Sequence, residues 1–185
     1  MYGRNKDDRG FSLVELIIII AIIGALTATL VLSFGLVYGA NAKTCANDIM
    51  NAISECKVTT MSYGQGNVRL LLFRGEDGNI YSALQTRDKK DDPWEYKNER
   101  PEKIGASRCA VTDEAGNELP EKALDDSSLT EPVSGVWEIY FNRSSGSFED
   151  KTTGYKLHVK GGSRHYKIHM EELTGKSILE LVTSP

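Results

Sequence analysis

The sequence predicts an α+β fold: a long N-terminal α-helix, half membrane-type and half amphipathic, packed on a C-terminal antiparallel β-sheet domain. Three observations predict it. Residues 11–40 are almost unbroken apolar; apolar residues then recur at spacings of three and four as far as Thr60; beyond Asn67 short alternating runs are joined by glycine turns. The expected organisation is a leader at 1–10, a membrane half of the helix at 11–40, its amphipathic half at 41–63 and a β-rich domain at 64–185.

The 185 residues have room for one modest domain and an accessory element. Averages of 40% hydrophobic and 26% charged residues hide a segregation, because Glu15 and Tyr38 are the only ionisable side chains between Phe11 and Ala40. The net charge of −4 falls mostly on the C-terminal part, which disfavours a general nucleic-acid-binding surface. Arg4, Lys6 and Arg9 precede the apolar run. Positive charge there predicts a cytoplasmic N-terminus and an exported C-terminus.

As helix, residues 11–40 would extend about 45 Å, more than the ~30 Å of hydrocarbon requires. Ala40-Asn41-Ala42 has the small-x-small form of a signal-peptidase site, but the run is too long for a signal core. Cys45 lacks the leucine-like start of a lipoprotein motif before it. Gly24, Thr27, Thr29, Gly35 and Gly39 are small residues of the kind that let membrane helices approach closely. Within the run, Glu15 is a carboxylate costing about 2.5–3.5 kcal/mol in hydrocarbon, and so asks for a partner or a function.

The segment Arg9-Gly10-Phe11-Ser12-Leu13-Val14-Glu15 resembles the processing and methylation motif of type IV prepilins, the subunits of type IV pili and of type II secretion pseudopili. The resemblance implies cleavage after Gly10 by a membrane peptidase, N-methylation of the new amino terminus at Phe11, and a role for Glu15 in assembly and register. The Phe11 amine would pair with Glu15 of a neighbouring subunit, offsetting both desolvation costs. The implied partners are the prepilin peptidase/methylase, other pilin subunits in a homo- or hetero-filament, the membrane assembly machinery, and membrane lipid before assembly. The implied location is the inner or cytoplasmic membrane as a single-pass protein, then an extracellular or periplasmic filament. Many type IV pilins carry a proline in the second part of the apolar segment; here there is none, so any loosening would rely on the glycines, Gly24 especially.

Ala42, Cys45, Ala46, Ile49, Ile53, Cys56 and Thr60 define one face of the second half, with Lys43, Asn47, Asp48, Asn51, Ser54, Glu55 and Lys57 mostly filling the other. Gly64 and Gly66 supply the stop. One helix from Phe11 to Ser62 would be ~78 Å long. Asn67 to Phe73, a turn at 75–79, and Ile80 to Leu84 read as a hairpin; Gln85 to Lys103 as a charged, solvated loop; Ile104 to Val111 as one further strand. Val136 to Phe141, Tyr155 to Lys160, Arg164 to Glu171 and Ile178 to Val182 read as an antiparallel meander. Their order of strand, glycine turn, strand and then Thr174-Gly175-Lys176 is similar to minor pseudopilins.

Other chemistry finds little footing. Asp88, Asp91, Asp92 and Glu95 are of the type calcium takes, and some secretion pseudopilins bind calcium in a loop, but Lys89 and Lys90 interrupt the spacing. His165 and His169, on one strand face about 13 Å apart, cannot share a zinc, and His158 reads as another solvent-facing strand histidine. No nucleophile motif or phosphate loop appears, so an enzyme is not expected, and no cofactor is implied. A basic patch at Lys156, Lys160, Arg164 and Lys167 fits a solubilising strand face better than a DNA site. Three cysteines, an odd count, argue against a full disulfide framework. Cys45 and Cys56, about 16 Å apart on a helix, cannot pair; either can pair with Cys109, and packed free thiols fit at least as well.

The sequence therefore favours a structural pilus or pseudopilus subunit. One alternative is a minor or tip pilin that binds DNA for uptake, a surface for adhesion or a secretion substrate. Another is an unprocessed single-pass anchored domain.

Overall fold

The structure is a computed structural model, and it describes residues 12–63, 66–124, 136–150, 152 and 155–182, without the side chains of 28–36. By its internal contacts the chain divides into two units, one up to Gly35 and one from Leu36 onward. The fold is α+β. Helix α1 spans Leu13–Ser62, ending just before Gly66, whose φ of 73° is closed to most other residues. Neither proline nor a run of polar side chains interrupts it.

Two sheets make up the β domain. In the first, β1 (Val68–Gly75) and β2 (Ile80–Thr86) form an antiparallel hairpin in the register Val68↔Thr86 to Arg74↔Ile80. Its turn is closed by Gly75 and Asn79, with the Asn79 amide donating to Asp77 Oδ1 at 3.0 Å. The Asn79 side chain holds the Asp77 carboxyl below the usual carboxylate range. Strands β3 (Glu95–Tyr96) and β4 (Glu102–Gly105) both add to β2. On the other side, β6 (Glu121–Lys122) lies parallel to β1 and β7 (Trp137–Ile139) antiparallel to it. The second sheet has the order β10 (Lys176–Leu181), β9 (Arg164–Glu171), β8 (Lys156–Gly161), β5 (Ala110–Asp113), antiparallel throughout.

Three expectations change. Ile104 to Val111 is not one strand: β4 ends at Gly105, a turn closes with the Cys109 amide on the Ala106 carbonyl at 2.9 Å, and β5 enters the other sheet. The meander keeps β8, β9 and β10, but Trp137–Ile139 leaves it for β1. Gln85 to Lys103 is not simply a solvated loop. It contributes β3 and buries Trp94, over which the Arg69 and Arg87 guanidinium carbons each stand at 4.3 Å.

Burial explains the continuous apolar run of β1. Leu70 and Leu72 belong to the main core with Ile139, Phe141, Val159 and Ile168; Leu71 and Phe73, pointing the other way, join Tyr81, Ala83 and Val136 in a second cluster. Beside that second cluster Arg69 is fully buried, donating to Gln85 Oε1 at 2.8 Å and Glu138 Oε1 at 3.1 Å. Tyr140 donates to the same carboxylate at 2.7 Å. Desolvation, and then that carboxylate, push its phenol up to about 12.

Candidate functional site

The start of α1 is built by Ser12. Its carbonyl accepts the Leu16 amide at 3.1 Å, and its hydroxyl accepts the Val14 amide at 3.3 Å. Ser12 is thus the N-cap, and Glu15 falls three residues later, in the first turn, where the helix dipole favours a carboxylate. Ser12-Leu13-Val14-Glu15 has the serine-to-glutamate spacing of a capping box, a signal the sequence carried beside the membrane-carboxylate reading. Gly10 and Phe11, the expected cleavage and methylation positions, lie outside the described residues.

Past the cap, as far as Leu26, the apolar side chains of the described residues are exposed. Leu13 is 74% exposed and Ile20 61%, and Val14, Leu16, Ile17, Ile18, Ile22, Ile23 and Leu26 are exposed on every side of the helix. The Thr27 hydroxyl donates to the Ile23 carbonyl at 2.7 Å, so this polar group is satisfied within the helix. A Cβ at Gly24 would meet nothing within 4 Å. Among the described residues no helix is long and apolar enough to cross a membrane. The span expected at 11–40 falls only partly within them, since Phe11 and the side chains of 28–36, Thr29 and Gly35 included, are not described.

From Leu36 the same helix has a different environment. Ala42, Cys45, Ala46, Ile49, Ile53, Cys56 and Thr60 are all buried, the full face that the spacing predicted. The apolar ones share the main core cluster with residues of both sheets. Gly39 is covered by the Arg164 side chain and not held open for a second helix, and Gly161 lies against the Tyr38 carbonyl and the Ala42 methyl. On the polar face, Lys97 pairs with Glu55 at 3.0 Å and Lys57 donates to the Thr174 carbonyl at 2.8 Å.

The remaining candidates are placed as follows. His165 and His169 do share one face of β9, but the closer relation is across strands. His158 Nδ1 and His165 Nε2 are 2.8 Å apart, a diagonal pairing between β8 and β9 that residue spacing within one strand does not reveal. Desolvation is the main cause holding both imidazoles below their ordinary value, with Lys160 and Lys167 adding to it. Asp92 Oδ2 accepts the Lys89 amide at 3.0 Å. Lys156 of the basic patch is bonded to Glu114 at 2.6 Å. All three cysteines are buried free thiols, and burial pushes Cys56 up to about 12.

Compared with known proteins, residues 5–31 match the family model of the prokaryotic N-terminal methylation motif, the type IV prepilin and pseudopilin signature. That motif marks structural rather than enzymatic proteins and implies processing by prepilin peptidase and assembly with other pilin subunits. No curated protein and no solved structure matches the chain. The match covers the expected cleavage site, the N-cap and Glu15 together, and so the chain carries, at residues 5–31, the signature of the type IV prepilins and pseudopilins.

Proposed function

We propose that the protein is a structural subunit of a type IV pilus or pseudopilus, cut after Gly10, N-methylated on Phe11 and assembled through α1. One observation carries this reading: the methylation-motif match at 5–31 coincides with a helix start whose apolar residues are exposed on every side. Burying a leucine or isoleucine side chain yields about 1.5–3 kcal/mol, so such a surface demands lipid first and neighbouring helices afterwards. Residues 11–40 form the membrane and then filament-core half, 41–63 the half that lies along the β sheets, and 64–185 the domain on the filament exterior. The burial of the Ala42–Thr60 face supports that division.

Glu15 supplies register. Cleavage of the Gly10–Phe11 peptide bond by water leaves a carboxylate on the leader and a cationic α-amine on Phe11. In a low-dielectric bundle that amine and the Glu15 carboxylate of a neighbour relieve each other's desolvation only when the helices are correctly staggered. The positive leader keeps the N-terminus cytoplasmic and exports the β domain.

Intact-mass and N-terminal analysis of the full chain recovered from its membrane tests the reading. The expected species begins at methylated Phe11, and replacing Gly10 with valine leaves the full-length chain. A native chain that still begins at Met1, or normal shortening of Gly10→Val, refutes the assignment.

A further inference from the structure

Cys45 and Cys109 belong to different elements, one on α1 and one in the turn between β4 and β5, yet both are sealed in the same core cluster. Their side chains interact directly, each the leading influence on the other's thiol. Two features hold them there. Gly105 leaves room for the sulfur, since a Cβ at that position would stand 2.6 Å from Cys45 Sγ. Arg74 fixes the turn, donating to the carbonyls of Ser107 at 3.3 Å and Cys109 at 3.0 Å. Cys56, by contrast, sits apart, its thiol directed to the Ile139 carbonyl at 3.9 Å.

We propose that Cys45 and Cys109 are a disulfide-forming pair that fastens α1 to the β4–β5 turn once the chain meets a thiol–disulfide oxidant. The oxidant is a disulfide-bearing exchange catalyst or a small-molecule disulfide. The Cys109 thiolate attacks one oxidant sulfur, breaking its S–S bond and expelling a thiolate. The Cys45 thiolate then attacks Cys109 Sγ and expels the second. The two cysteine sulfurs lose two electrons to the oxidant, and the two thiol protons end on the two thiols released. The order follows from the site. The turn bond to Ala106 and the Arg74 cation, both within the β domain and so in place before α1 docks, lower the Cys109 thiol and make it the first to attack. Burial of both residues places the exchange during folding, before α1 covers the turn. Formation in the cell rests on the export that the prepilin reading entails, because exported proteins meet oxidising conditions.

The test uses the full-length chain, reduced and unfolded, then refolded in detergent in an oxidised/reduced glutathione buffer. The sample is acid-quenched, unfolded, alkylated with iodoacetamide and analysed by intact mass and peptide mapping. The expected product takes one alkyl group, on Cys56, lacks two hydrogens, and yields a Cys45–Cys109-linked peptide; dithiothreitol restores three alkylations. Cys56→Ala keeps the linked peptide, and Cys109→Ser abolishes it. Three alkylations under oxidising buffer, or a bond that includes Cys56 or a second chain, overturn the proposal. The same alkylation of chain taken directly from its membrane separates the two ideas: open thiols there, beside a bond formed in buffer, count against export and uphold the pair.

Discussion

The two parts of α1 are one uninterrupted helix with opposite surfaces. Around Ile17–Ile23 the large aliphatic residues are exposed on all sides, whereas Ile49 and Ile53 are 0% and 1% exposed in a single buried stripe. Composition alone does not make this difference. Isoleucine serves both parts, but in the second it alternates with charged and amide residues at helical spacing, and in the first it has no polar counterpart. A stripe is satisfied by partners within the chain; a surface apolar all round is satisfied only by an environment. The second part of the helix therefore belongs to folding, and in the proposed reading the first part belongs to assembly.

Paired isoleucine truncations break that comparison most directly. Ile49→Ala should lower the unfolding free energy of the β domain by about 3 kcal/mol, as a cavity in a packed core does. Ile18→Ala should change it by less than about 0.5 kcal/mol. Chemical denaturation of both variants in detergent is the measurement, and equal effects would erase the distinction. Glu15 gives the next largest effect. Glu15→Gln retains a side chain that can complete a capping box but loses the charge, so helix content should persist while filament yield falls at least about tenfold, or ~1.4 kcal/mol per subunit contact. Glu15→Val should insert in the membrane and assemble as poorly. Wild-type yield from both would leave Glu15 a cap-position carboxylate and no more.

The smallest effect concerns pH. Burial and neighbouring charge depress the imidazoles of His158 and His165 in the folded chain, so the unfolded chain binds more protons once pH falls below the ordinary 6.5. The stability they contribute is complete above that value and is lost as pH drops through it. Melting temperature between about pH 7.5 and 5 should therefore fall less in His165→Gln than in the wild type. An identical slope would remove the pair from the pH response.

What was legible in the sequence was what one segment determines by itself. The Ala42-to-Thr60 face, the β1–β2 hairpin and the β8–β9–β10 meander all follow from periodicity and local turn residues. What was hidden depends on which segments meet. Alternation in Val136–Phe141 marks a strand but does not name β1 as its neighbour, and the apolar string Ile104–Val111 conceals a turn at 106–109 that hands the chain from one sheet to the other. Trp94, set among charges, reads as exposed until Arg69 and Arg87 are seen to enclose it. At the candidate site, Gly10, Phe11 and Glu15 stood out as a motif. The Ser12 cap was equally present but was overshadowed by the apolar run that follows it.

That cap lies downstream of the proposed scissile bond. Trimming the leader would keep the two hydrogen bonds that Ser12 makes to the first turn, because the hydroxyl and carbonyl that accept them belong to a residue the product retains. Precursor and mature subunit would then share this cap, and maturation would alter the charge beside it. A subunit could be made ready for its neighbours by a change of electrostatics, with no refolding step between cutting and joining.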